Sequence, residues 1–178
     1  SRWHGNVVLI LYLVPQRAAL DQNTIRETAA LRAAGHQVVA HSQPSKPPLG
    51  MVRLTLSAKR IAQTLRPDAV MCRDLDTLAA GVRVKEESDA PLVYFPHEIY
   101  PAMIEDDVPA FIARAAAKQE RKLLRKTDAL VASNPGIIEW LVEQGPQDGI
   151  GWDNPIALVM NCRNPEPVFT KPDTRAFC

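Results

Sequence analysis

The chain has 178 residues and a formal net charge of +1, with 46% hydrophobic and 23% charged residues. This is the profile of one soluble globular domain long enough to bury a core, and its charge gives no global case for a nucleic-acid partner, leaving room only for a local basic patch. Three cysteines, Cys72, Cys162 and Cys178, stand far apart with no CxxC pair, which argues against a zinc site or disulfide framework and suits a reducing cytosol.

In chain order, the longest apolar run is VVLILYLVP at 7–15, well short of the roughly 20 residues a membrane span needs. No signal-peptide pattern precedes it, so residues 7–14 are expected to form a strand buried on both faces and ended by Pro15. NTIRETAALRAAG (23–35) suits an amphipathic helix with Ile25, Ala29, Leu31 and Ala33 or Ala34 on its apolar face, stopped by Gly35. QVVAH (37–41) is a second strand, before the proline-rich loop SQPSKPPLG. MVRLTL (51–56) alternates and is expected to be a third strand, with Ser57 capping a helix through Leu65. DAVMCR (68–73) is a fourth strand, and Asp74 is placed to cap a helix from Leu75 to about Glu87.

PLVYF (91–95) is a fifth strand, followed by a loop bearing His97 and by a long helix from about Pro109 to Lys126. DALVAS (128–133) is a sixth. Asn134 then caps PGIIEWLVEQG, with Pro135 at the first helical position. After a glycine-rich surface loop at 144–155, IALVM (156–160) is a seventh strand. The alternation predicts an α/β fold, a Rossmann-like, doubly wound and mainly parallel sheet of about seven strands.

Such sheets bind ligands outside the carboxyl ends of their strands. Those ends carry Gln16, Arg17 and Asp21 after the first strand, Ser42 and Gln43 after the second, and Arg73 and Asp74 after the fourth. His97, Glu98 and Tyr100 follow the fifth, Ser133 and Asn134 the sixth, and Asn161 and Arg163 the seventh. Short polar side chains at nearly every end suit a hydroxyl-rich or phosphorylated ligand. Each also has a plainer role: Asp21, Asp74 and Asn134 as helix caps, His97 as a turn residue, Glu98 as a solvated carboxylate or a support for the imidazole. Adjacent His and Glu lack the HExxH spacing of a metal site. Neither GxGxxG nor GxxxxGK[ST] occurs, which speaks against a dinucleotide-binding domain and a P-loop nucleotidase. In the long helix Arg114, Lys118, Arg121, Lys122 and Arg125 recur at helical spacing as one basic stripe. It is either a solvated face or a surface attracted to anionic head groups or a phosphorylated acceptor.

Four segments in order, PDAVMCRDLDTLAAG, LVYFPHEIYP, KQERKLLRKTDALVASNPGIIEWL and IALVMNCRNP, together with the opening DQNTIRETAALRAAGHQV, resemble the amino-terminal half of GT-B-fold retaining glycosyltransferases of family four. The resemblance covers nearly the whole chain. It implies two Rossmann-like halves facing across a cleft, the first binding the acceptor and the second a nucleotide-sugar donor. It maps a cleft-lining histidine near the reacting sugar onto His97, and acceptor or donor-phosphate contacts onto Arg17 and Asp21; the adjacent Glu98, or backbone, is then expected to fix the His97 ring. The loop holding those two lacks the glycines of many members.

The family's E-x7-E donor signature occurs nowhere in these residues, so the resemblance implies a glycosyltransferase domain at 1–161 and the start of an interdomain linker, or a tail, at 162–178. The expected partners are a sugar or lipid-linked acceptor and a donor-binding domain or subunit, with no nucleic acid. The nucleotide sugar is a substrate, and no cofactor is implied. The expected location is the cytoplasm, with or without peripheral contact to the inner membrane face. The alternatives are a non-catalytic module that docks a separate donor subunit or an anionic membrane, and another GT-B-like enzyme such as a sugar epimerase half.

Overall fold

Continuous apolar runs become the strands of one sheet, in sequence order, the central ones buried and the edge strand at residues 156–158 exposed. The structure, a computed structural model, describes residues 7–15, 21–42, 48–104, 106–143 and 154–159. Its strands are β1 (Leu9–Leu13), β2 (Gln37–His41), β3 (Ala69–Arg73), β4 (Leu92–Phe95), β5 (Ala129–Ala132) and β6 (Ile156–Leu158). They form one sheet in the order β2-β1-β3-β4-β5-β6, and every pairing is parallel. The helices are α1 (Gln22–Ala33), α2 (Leu49–Leu65), α3 (Asp74–Ser88), α4 (Tyr100–Ile104), α5 (Ala110–Leu124) and α6 (Pro135–Glu143). Right-handed crossovers explain the layering. The chain steps outward from β1 to β2 and then back past β1 to β3, so α1 lies on one face and α2 and α3 on the other. Tyr12 and Val38 pack on the α1 side; Leu11, Leu78, Leu92 and Leu124 belong to the larger core opposite.

The expected strand at MVRLTL is corrected. Residues 49–65 form one helix of 17 residues, and the sheet has six strands among the described residues. The six-residue alternation is local, whereas Gly50, Leu54, Ala58, Ile61 and Ala62 make a buried helical stripe over four turns against α3 and the core. Ser57 sits inside that helix and donates to the Leu54 carbonyl at 2.9 Å instead of capping. The short helix α4 arises within the expected loop after β4. The caps of α1 fall where the sequence places them. Asp21 accepts from the Asn23 amide at 3.0 Å. Gly35, at φ 92°, lets its own amide and that of His36 reach the carbonyls of Arg32 and Leu31 (2.9 and 3.2 Å).

Helix α3 crosses β3 closely because Gly81 has no side chain. A Cβ there would stand 2.0 Å from Cys72 Sγ and 3.0 Å from Leu92 Cδ1. Gly81→Ala is therefore expected to destabilise the fold by about 1–3 kcal/mol despite its helix propensity. Chemical denaturation checks this, and Cys72→Ala added to Gly81→Ala is expected to recover part of the loss.

The one acid of α5, Glu120, is buried, with its Oε1 accepting from the Tyr94 hydroxyl at 2.6 Å. Its Oε2 has no hydrogen-bond partner among the described residues. Burial, with Asp74 adding to it, pushes this carboxyl from an ordinary 4.5 up to about 7. Between those values the folded chain holds a proton that the unfolded chain releases, so stability falls as pH rises through the window, by about 3 kcal/mol in all. Urea midpoints at pH 5 and pH 8 are expected to show this fall in the wild type and little of it in Glu120→Gln.

Candidate functional site

The winding reverses between β1 and β3, and such a topological switch point, at the carboxyl edge of the sheet, is where parallel α/β sheets bind ligands. The first turn of α1, the β3–α3 junction and the loop after β4 all reach it. Arg73, the last residue of β3, is 7% exposed. Its Nη2 donates to Asp21 Oδ2 at 2.6 Å and its Nη1 to Thr24 Oγ1 at 2.5 Å, so one guanidinium ties β3 to the start of α1. Burial works against ionisation of Asp21, but the Asn23 amide and Arg73 outweigh it and hold the carboxyl below its ordinary range.

Asp74 follows directly, at φ 59°, a left-handed conformation that a short polar side chain tolerates but that still costs about 1 kcal/mol. The expectation that Asp74 caps α3 is corrected. Arg73 occupies the cap position with extended backbone, and Asp74 is the first helical residue. Its Oδ1 accepts the His97 amide at 2.7 Å, and its Oδ2 lies 3.7 Å from Arg73 Nε. The strained turn thus aims the carboxylate across to the next loop and away from its own helix. Burial raises the Asp74 carboxyl above its ordinary value, although the His97 amide and Arg73 oppose the shift.

The His97 ring packs against Phe95 with centroids 4.5 Å apart, and its Nε2 lies 3.1 Å from Glu27 Oε1. That distance is ion-pair range, but the geometry is off the line of a formed hydrogen bond. The other Glu27 oxygen accepts from the buried Tyr12 hydroxyl at 2.5 Å. Burial alone would raise the Glu27 carboxyl; His97 and Tyr12, with Arg73 beyond them, hold it below the ordinary range. Burial and, after it, the same carboxylate push the Tyr12 hydroxyl far above its usual value, keeping it a neutral donor. The result is a continuous polar network from Asp21 through Arg73 and Asp74 to His97, with Glu27 and Tyr12 fixing the far side of the imidazole.

Glu27, Thr24 and Tyr12 are the participants that sequence reasoning missed. The expected apolar face of α1 is also corrected: Ile25 is 50% exposed, whereas Thr24 and Thr28 are buried. The inward stripe is Thr24, Glu27, Thr28 and Leu31, at i, i+3, i+4 and i+7. That polar set was visible at helical spacing, but its partners Arg73, Tyr12 and His97 come from other elements.

The carboxylate beside the imidazole is Glu27, while Glu98 is exposed. Asn134 Oδ1 accepts from the Ile137 amide at 3.0 Å and so caps α6, with the half-buried Ser133 just before it. Arg17, Gln16, Gln43, Asn161 and Arg163 lie outside the described residues, as does the Tyr100 side chain. Arg114, Lys118 and Lys122 are exposed along α5, as is Arg125 just past its end, and Arg121 is half-buried. Among the described residues no group of three or more His, Cys, Asp and Glu is placed to hold a metal ion. Nor is any described helix long and apolar enough to cross a membrane.

The fold is thus a parallel, doubly wound α/β domain with a histidine-centred polar network beside its switch point. Residues 8–150 match the glycosyl transferase 4-like domain model, and the chain belongs to that family. Membership makes a glycosyltransferase-type function the frame for this site. No curated protein matches the chain.

Proposed function

We propose that the chain is the acceptor-binding half of a retaining GT-B glycosyltransferase. In this reading residues 1–161 form the domain, 162–178 begin a linker or tail, and the enzyme acts in the cytoplasm. The observation that carries the reading is His97. It projects from the carboxyl end of a central strand beside the switch point, with its amide held by Asp74, its ring face by Phe95 and its ring edge approached by Glu27. A ring supported in this way suits hydrogen bonding to a sugar or acceptor hydroxyl. The remaining chemistry of such a transfer is stabilisation of a departing diphosphate and an oxocarbenium-like centre. Arg73 is ill-suited to the diphosphate, since its guanidinium is already engaged by Asp21 and Thr24. The phosphate clamp is therefore assigned to a donor-binding domain or subunit.

The test is sugar transfer from a panel of labelled nucleotide sugars, by the 178-residue chain and by the full-length product of its reading frame. Transfer by the longer protein alone, with the anomeric configuration of the donor kept in the product, is the expected result. Turnover by the 178 residues on their own would overturn the acceptor-half reading, and an inverted product would overturn the retaining one.

A further inference from the structure

Helix α2 buries one face against α3 and the core, yet its opposite face is not polar. Leu49, Val52 and Leu56, at i, i+3 and i+7, are 52%, 53% and 77% exposed. Cations border this stripe: Arg53 lies one turn beyond Leu49, Arg60 one turn beyond Leu56, and Lys59 is on the flank. No acidic residue occurs in α2. The same combination recurs on α5, in the same layer. Phe111 is 70% exposed and shares the outer face with Arg114, Lys118 and Lys122, while the only acid of the helix, Glu120, is buried. Between them α3 exposes Glu86 and Glu87, and both are engaged by the layer's own cations. Lys126 lies 2.7 Å from Glu86, and Lys59 and Arg83 lie 3.8 and 3.7 Å from Glu87. Asp106 and Asp107 are exposed at the α4–α5 turn.

We infer that this layer seats the domain on an anionic bilayer surface, with Leu49, Val52 and Leu56 entering the boundary between head groups and acyl chains and Arg53, Arg60 and the α5 cations lying among the phosphates. A lone apolar stripe would fit a partner helix equally well. Two helices of one layer that each pair outward apolar residues with cations, separated by the width of α3, fit an extended anionic plane. In a parallel sheet the helices run back from the carboxyl edge, so Leu49 and Phe111 stand at the helix ends nearest the His97 network. If the proposed function holds, the acceptor is a hydroxyl carried by a membrane lipid. This last step rests on that function, whereas the docking does not.

Cosedimentation of the 178-residue chain with phosphatidylcholine vesicles, with and without about 30% phosphatidylglycerol, tests the docking. Binding is expected to be roughly tenfold or more tighter to the anionic vesicles and to weaken with salt. Val52→Gln with Leu56→Gln, and separately Arg53→Gln with Arg60→Gln, are each expected to weaken it about tenfold, with circular dichroism unchanged. Equal sedimentation with and without vesicles, or wild-type binding by the Val52/Leu56 variant, overturns the proposal. Vesicle binding without sugar transfer in the full-length protein leaves the docking standing and removes the functional reading. Transfer without vesicle binding does the reverse.

Discussion

Replacing Arg73 with methionine is expected to lower the folding stability of the domain by about 2–4 kcal/mol, somewhat less than breaking a fully buried ion pair from one side, because the Asp21 side chain is itself 35% exposed. The methionine fills much of the same volume, so the loss is electrostatic and not a cavity effect. It strips Thr24 and Asp21 of their donor and leaves the Asp74 carboxylate, 19% exposed, without the nearby cation. Burial already raises that carboxyl, so its ionised form in the variant has little to offset the lost water. Adding Asp74→Asn should recover part of the loss, because the amide oxygen still accepts the His97 N–H while the uncompensated charge is gone. The deficit should also narrow as pH is lowered into the carboxyl range, where Asp74 protonates. Urea denaturation of the single and double variants measures all three expectations; a loss under about 1 kcal/mol for Arg73→Met would show that water already screens the cluster.

Under the proposed function, the largest effect on activity is expected from His97→Ala in the product of the full reading frame, a fall in turnover of roughly 10- to 100-fold, the value of one lost hydrogen bond to a charged or developing centre. Folding stability should fall as well, since the side chain is only 9% exposed and packs on Phe95 beside Glu27, but its amide bond to Asp74 survives the substitution, so turnover compared at full folding isolates the loss in activity. Glu27→Gln separates orientation from contact. A carboxylate beside Nε2 favours a proton on that nitrogen and leaves Nδ1 as the ring's other hydrogen-bonding atom. The amide weakens that preference while Tyr12 can still donate to its oxygen. Turnover in Glu27→Gln is expected to fall about tenfold with little change in KM, together with a change in the His97 ring nitrogen shifts in NMR. An unchanged rate in His97→Ala would return the histidine to a turn residue packed on Phe95.

These two variants probe a network of which only part was legible in the chain. His97 stands out because an apolar run ends at Pro96 and an ionisable ring follows, a signal carried by a few consecutive residues. Asp21 and Asn134 were legible as caps for the same reason: each bonds an amide two or three residues on. Glu27 was not, because its neighbour on the chain is a helix and its neighbours in space are β1 and the loop after β4. Glu98, adjacent to His97 in sequence, was the natural candidate for its carboxylate partner, yet the backbone turns it out to solvent.

What the sequence determines alone is therefore what short-range physics decides: apolar runs long enough for strands, prolines and glycines that end them, caps that start helices, and through their order a parallel α/β sheet with a histidine at a strand end. Tertiary structure decided the rest. MVRLTL alternates like a strand, but the surface of α3 offers a helical face more apolar area to cover. Asp74 could cap its own helix, but the His97 amide, 23 residues away, takes its carboxylate. Arg73 looked like a ligand contact until Asp21, 52 residues earlier, was found to hold its guanidinium. In each case several local solutions were close in free energy, and a partner from a distant segment selected among them.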